Sequence, residues 1–224
     1  MNEKPLHGFG VIFDMDGVLV DSLSAHLESW RMLAAEMSRS ITDAQFAATF
    51  GRTGRDIIRD LFSIVDDEGV RRCDERKESL YRELICKAVP EMPGARELVA
   101  SLHMAGASIA VGSSGPPENV ELVCRAMDLN RQLSACVTGA DVSRGKPDPQ
   151  VFLLASERLE LPPSRCLVIE DAPPGIDAAH HAKMPCIALI GSFSRDQISH
   201  ADTVVESLRE ITSDLVLRNF ATGK

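Results

Sequence analysis

No apolar run in this sequence approaches the roughly twenty residues that a membrane-spanning helix needs. The opening Met1-Asn2-Glu3-Lys4-Pro5 is not an apolar leader either. The six cysteines (Cys73, Cys86, Cys124, Cys136, Cys166, Cys186) are scattered without Cys-x-x-Cys spacing, and several sit in apolar runs. That pattern argues against a disulfide framework and against a zinc site. A reduced, cytoplasmic protein is expected. Positive charge is also scarce: 24 Lys and Arg against 33 Asp and Glu leave a net charge of −9. That balance argues against a broad nucleic-acid surface, and an anionic ligand would need a local source of cations. Internal repeats and low-complexity segments are missing too. What remains is a 44% hydrophobic chain of 224 residues, enough for a sizeable core in one α/β domain or in a domain carrying an insertion.

The chain is organised around Val11-Ile12-Phe13-Asp14-Met15-Asp16-Gly17-Val18-Leu19-Val20-Asp21-Ser22. A short apolar run ends in Asp14, and Asp16 follows at the spacing that puts both side chains on one side of an extended strand. Gly17 then lets the backbone turn. Two adjacent carboxylates resist ionising together, so one tends to keep its proton, and a nucleophilic carboxylate beside a protonated one is a working acid–base pair. A strand end with a helix cap is the plain alternative. The stretch up to residue 91 is helical by pattern. Leu23, Leu27, Trp30, Leu33 and Met37 repeat at helical spacing, and Thr42-Asp43-Ala44-Gln45 fits a capping box. Gly51-Arg52-Thr53-Gly54-Arg55 breaks that second helix; Asp56 to Phe62 and Asp66 to Lys87 read as further ones. A crossover between parallel strands normally takes about thirty residues in all, and this gap is more than twice that. Residues 22–91 are therefore read as an inserted helical cap domain, and 1–21 with 92–224 as the core.

From Pro93 on, helices near 94–105, 117–127, 149–160, 173–183 and 206–218 alternate with apolar runs near 107–113, 135–137, 166–169, 186–190 and 203–205. The alternation predicts a doubly wound, Rossmann-like parallel sheet with helices on both faces. Ligands of such sheets bind beyond the carboxyl ends of the strands. Asp14 and Asp16, Ser113 and Ser114, and Glu170 and Asp171 stand at three of those ends. Four carboxylates in one crevice would repel unless a cation joined them, and magnesium prefers oxygen ligands. Lys146 lies in a loop before a helix whose start Pro149 marks. The two serines precede another helix, where capping and anion binding can coexist.

Phe13-Asp14-Met15-Asp16-Gly17-Val18-Leu19-Val20-Asp21-Ser22, Gly112-Ser113-Ser114, Gly145-Lys146-Pro147-Asp148-Pro149 and Ile169-Glu170-Asp171-Ala172-Pro173-Pro174-Gly175 closely resemble, in this order, the four motifs of the haloacid dehalogenase superfamily. A helical insertion straight after the first motif resembles the subgroup holding β-phosphoglucomutase and phosphoglycolate-type phosphatases. The resemblance implies that Asp14 is the nucleophile that becomes an aspartyl phosphate. Asp16 would protonate the leaving oxygen and then activate water. It implies a Mg2+ held by Asp14, the main-chain carbonyl of Asp16 and Asp171, with Glu170 nearby or bound. Ser113 and Lys146 would bind the transferring phosphoryl, with Ser114 beside them. Asp16 speaks against dehalogenation, which has no leaving alkoxide to protonate.

His26 and Trp30 sit where β-phosphoglucomutase has its cap histidine and tryptophan, and Arg55 falls in the matching specificity loop. Each has a plain structural alternative: Trp30 lies on the apolar stripe, His26 borders it, and Arg55 is open to a solvated loop role. The mutase has a cap lysine further on, and alignment puts Glu83 there, with Arg82 adjacent. A carboxylate in that position would repel the second phosphate of a bisphosphate intermediate. The expectation is thus a phosphatase acting on a small phosphorylated metabolite, a sugar phosphate or a phosphoglycolate-like ester, with phosphosugar mutase as the alternative. His26, Arg52 and Arg55 would meet its distal polar or anionic group. A signalling receiver is disfavoured by the helical insertion, and a silent binding protein by the complete motif set. No nucleic acid, no membrane, and a monomer or weak homo-oligomer are expected.

Overall fold

The computed structural model describes residues 5–47 and 54–222. The chain divides into two compact units, one built from the residues up to Asp21 together with those from Pro90 on, the other from Ser22–Val89. Glu91, grouped with the helical insertion on sequence, makes a β-bridge to Val20, while the Pro90 carbonyl accepts the Asp21 N–H at 2.7 Å.

Among the described residues of the first unit, six strands form one parallel sheet: β1 (Gly10–Phe13), β2 (Ser108–Gly112), β3 (Leu133–Val137), β4 (Cys166–Glu170), β5 (Cys186–Leu189) and β6 (Thr203–Val205). Their spatial order is β3-β2-β1-β4-β5-β6, the doubly wound arrangement whose winding reverses between β1 and β4. β1 and β4 are apolar almost without interruption because both faces of the sheet are covered. Ile12, Ala110, Val168 and Ala188 pack in one cluster with Phe152 of α7 (Gln150–Arg158) and Ile176 of α8 (Pro173–His181). The alternate residues Val11, Phe13, Ile109, Val111, Leu167 and Ile169 are equally buried. Helices α5 (Ala95–Met104) and α9 (Ser213–Thr222) pack against β2 and β4, and α6 (Pro117–Ala126) links β2 to β3.

One element departs from its sequence pattern. In place of a continuous helix over 206–218 there is a single 3-10 turn, Leu208–Glu210, followed by α9. Ser207 and Glu210 close a capping box on that turn, and Ile211 returns to extended backbone. The Thr212 hydroxyl then accepts the Leu215 N–H at 3.2 Å and starts a second helix. A cap in the middle of an apolar-periodic stretch ended the first helix, which periodicity does not register.

The helical unit comprises α1 (Leu23–Glu36), α2 (Asp43–Ala47), α3 (Gly54–Phe62) and α4 (Asp67–Ile85). Trp30, Leu33, Phe46, Ile58, Phe62, Val70 and Leu80 form its core. The expected capping box opens α2: the Gln45 N–H donates to the Thr42 hydroxyl at 3.2 Å, and the Thr42 N–H donates to Gln45 Oε1 at 3.0 Å.

Candidate active site

β1 delivers Asp14 at its carboxyl end, where the Asp14 N–H still donates to the Ile169 carbonyl of β4 at 2.9 Å. The Met15 carbonyl then accepts the N–H groups of Leu19 and Val20, at 2.9 and 3.0 Å, and closes a tight loop. Gly17 has φ +80° in that loop, and a Cβ there would overlap the Asp171 carboxylate. Glycine is therefore required twice over, by conformation and by close approach.

β4 delivers Glu170 and Asp171. Glu170 Oε2 accepts the N–H groups of Asp171 and Ala172 at 2.6 and 2.7 Å, so this side chain shapes the turn into α8. A Cβ at Gly175 would overlap Glu170 Oε1. Lys146 reaches the same point from a distant loop. Its Nζ donates to Asp14 Oδ1 at 2.6 Å and to Glu170 Oε1 at 2.7 Å, and lies 4.9 Å from the centre of the Phe152 ring.

The cluster is short of positive charge. Asp14, Glu170 and Asp171 are all buried, and each offers an oxygen within 4.8 Å of the others. Burial pushes the Asp14 carboxyl up to about 7; Lys146 opposes this, while Glu170 and Asp16 add to it. Burial and the charges of Glu170 and Asp14 push Asp171 up as well, against a hydrogen bond from Ser192. Desolvation works against the charge on Lys146, but its two carboxylate partners outweigh it and raise its pKa. The aspartate pair singled out on sequence is thus a small part of the perturbation at Asp14, in which burial leads. An all-oxygen, buried, electron-rich set with a negative surplus fits a hard divalent cation such as Mg2+. Asp16, expected among the metal-holding residues, is not one of the three clustered carboxylates.

Ser113 follows directly on β2, whose pairing with β1 ends with Phe13 opposite Val111, so it leaves the sheet at the same carboxyl edge as Asp14. It is buried, and its Oγ accepts the Gly115 N–H at 3.0 Å, keeping its own proton to donate. Ser114 is exposed. Neither serine caps α6, whose cap residue is Pro116 and which has no side-chain cap.

Arg52 lies outside the described residues. Arg55 is exposed on α3. Its charge reaches Asp74 of α4, whose carboxyl is pushed up by burial and by Glu78. His26 stacks on Tyr81, with ring centres 4.2 Å apart and planes 7° from parallel, and its Nδ1 is 2.7 Å from Lys77 Nζ. Lys77 is buried, pairs with Glu78 at 2.8 Å, and lies over the rings of Trp30 and Tyr81. The lysine beside His26 is Lys77, and Glu83 is an exposed residue paired with Arg76 at 2.9 Å. The signal was available: Lys77 stands three and four residues before the buried Leu80 and Tyr81, on the apolar face of its helix.

A model of haloacid dehalogenase-like hydrolases matches residues 10–183. The validoxylamine A 7′-phosphate phosphatase of Streptomyces hygroscopicus subsp. limoneus is 30% identical over 207 residues, covering 89% of this chain and 94% of that protein. The β-phosphoglucomutase of Bacillus subtilis is 30% identical over 219 residues, with 92% of each chain covered. Among solved structures, a HAD hydrolase of family IA, variant 3, from Entamoeba histolytica superposes with a TM-score of 0.89 at 24% identity, covering 96% of this chain and all of that one.

Proposed function

The chain belongs to the haloacid dehalogenase-like hydrolase family, and we propose that it is a magnesium-dependent phosphatase of small phosphorylated metabolites, sugar phosphates first among them. One observation carries this reading: Lys146 bridges Asp14 and Glu170 inside a buried set of oxygens that retains a negative surplus. A validoxylamine A 7′-phosphate phosphatase and a phosphorylated carbohydrates phosphatase among the relatives support it.

In the proposed reaction an Asp14 oxygen attacks phosphorus, and the bond from phosphorus to the ester oxygen breaks as Asp16 gives that oxygen a proton. Asp16 then takes a proton from water, whose oxygen displaces Asp14 and releases inorganic phosphate. Lys146 and Ser113 hold the phosphoryl oxygens, with Ser114 next to them. Lys146 also offsets the charge on Asp14. Positioning and charge stabilisation dominate such transfers. Asp14, Glu170, Asp171 and the Asp16 carbonyl would hold Mg2+, which neutralises phosphoryl charge when bound. We assign the choice of ester to the helical unit, through His26, Arg52 and Arg55.

A second reading, phosphosugar mutase, is favoured by one observation. The objection to it was a carboxylate, Glu83, in place of the cap lysine, and Lys77 beside His26 removes that objection. Phosphorus NMR on a panel of phosphate esters, with and without magnesium, tests both. Magnesium-dependent release of inorganic phosphate supports the phosphatase. Conversion of β-glucose 1-phosphate to glucose 6-phosphate with little free phosphate makes the chain a mutase, and no turnover of any ester overturns both.

A further inference from the structure

Lys146 poses a physical problem that the cluster itself does not solve. It enters the buried site from the segment Ser143-Arg144-Gly145, whose residues are all exposed. A lysine side chain has several rotatable bonds, and a loose loop would let its ammonium drift from two carboxylates that need it in one place. The loop is not loose. Gln150, the first residue of α7, turns its side chain back onto it. Gln150 Oε1 accepts the Ser143 N–H at 2.9 Å, the Ser143 hydroxyl at 3.1 Å and the Arg144 N–H at 3.1 Å. Asp148 completes the knot: its Oδ1 accepts the Gln150 N–H at 3.0 Å, and its other oxygen pairs with Arg144 at 2.9 Å. The Asp148 N–H donates to the Gly145 carbonyl at 3.0 Å. The same helix supplies Phe152, over whose ring Lys146 Nζ lies.

We propose that Gln150 is a positioning residue that fixes Lys146 at the Asp14–Glu170 cluster by gathering the preceding loop onto one side-chain oxygen, a role that rests on the phosphatase reading. All three bonds end on that oxygen, so glutamate at the position retains the acceptor and alanine does not.

The test uses the full chain, its Gln150→Ala and Gln150→Glu variants, and inorganic phosphate as the probe. Calorimetry measures phosphate affinity in the presence of magnesium, and amide hydrogen exchange reports on Ser143 and Arg144. In Gln150→Ala, phosphate affinity and the protection of both amides each fall about tenfold, the scale of one net hydrogen bond. Turnover falls about 10–100-fold, as misplacement of a catalytic group by a fraction of an ångström predicts. Gln150→Glu restores all three to within about threefold of the parent. Phosphate affinity unchanged in Gln150→Ala would overturn the proposal, as would a Gln150→Glu variant no better than alanine. A parent that binds phosphate but hydrolyses no ester would overturn the phosphatase reading alone; the clamp would then stand or fall on the binding and exchange data.

Discussion

Lys146 in the sheet unit and Lys77 in the helical unit are both withdrawn from water, and they meet different partners. Lys146 faces two carboxylates, with a third, Asp171, close behind. Lys77 faces one carboxylate, Glu78, together with a ring nitrogen of His26 and the faces of Trp30 and Tyr81. A charged lysine can only donate, so it is the Nδ1 of His26 that accepts. With all three carboxyls ionised the first arrangement would exceed the charge of Lys146, and the raised Asp14 and Asp171 show the strain that a proton or a cation would relieve. The second gives its ammonium one directly paired carboxylate, a ring nitrogen and two aromatic faces, with the charge of Asp74 also in reach. Buried charge by itself therefore does not mark a metal site; the arithmetic of its partners does.

The sharpest way to break this comparison is at Asp14. Asp14→Asn is expected to reduce turnover of any accepted ester by roughly 10⁴-fold or more while circular dichroism melting stays near that of the parent. Substantial activity in that variant would remove the covalent scheme. Next comes Lys146→Ala, which strands two buried carboxylates. Without divalent ions it should lose about 3–5 kcal/mol in urea unfolding. Magnesium should recover part of that loss, since a ligand that binds only the folded state stabilises it. Equal losses with and without magnesium would show that the negative surplus does not recruit a cation.

Lys77→Met probes the second arrangement. It should cost about 1–3 kcal/mol in denaturant unfolding, because the half-buried Glu78 and His26 each lose a donor. Magnesium affinity, measured by calorimetry, should stay within about twofold of the parent, a change of less than half a kcal/mol. A collapse of magnesium binding would contradict the separation drawn between the two lysines. The smallest effect belongs to an exposed pair. Asp141 accepts from Thr138 and pairs with Arg158 at 2.5 Å, and these partners, Arg158 foremost, hold its carboxyl down at about 2. Its ordinary value lies near 3.9. The pair thus contributes stability above about pH 4, and the contribution fades as pH falls through about 2. Acid titration of Asp141→Asn followed by circular dichroism should show a small loss of stability near neutral pH that disappears toward pH 2. A loss that persists at pH 2 would assign the effect to packing.

Much of this was legible before any coordinates. Alternating apolar runs and helical spacings located every strand of the sheet to within a few residues, because those periods follow directly from backbone geometry. The capping box at Thr42 was legible for the same reason: its residues are neighbours in sequence. The resemblance of four short segments to a known family singled out Asp14, Ser113, Lys146, Glu170 and Asp171. Local pattern also misled. Apolar spacing ran through Ser207 and hid a cap, and an alignment along α4 settled on Glu83 where the packed lysine is Lys77.

The chain's order of residues thus carried the fold class and the places of the strands. Which charge meets which was decided only by folding. Lys146 stands 132 residues from Asp14 and only 24 from Glu170, yet it binds both within 0.1 Å of the same distance. Glu170 gives one oxygen to that lysine and the other to the backbone of its own turn. Side-chain partners of this kind depend on which strand ends the sheet brings side by side, and that is a property of the assembled layers rather than of any local period.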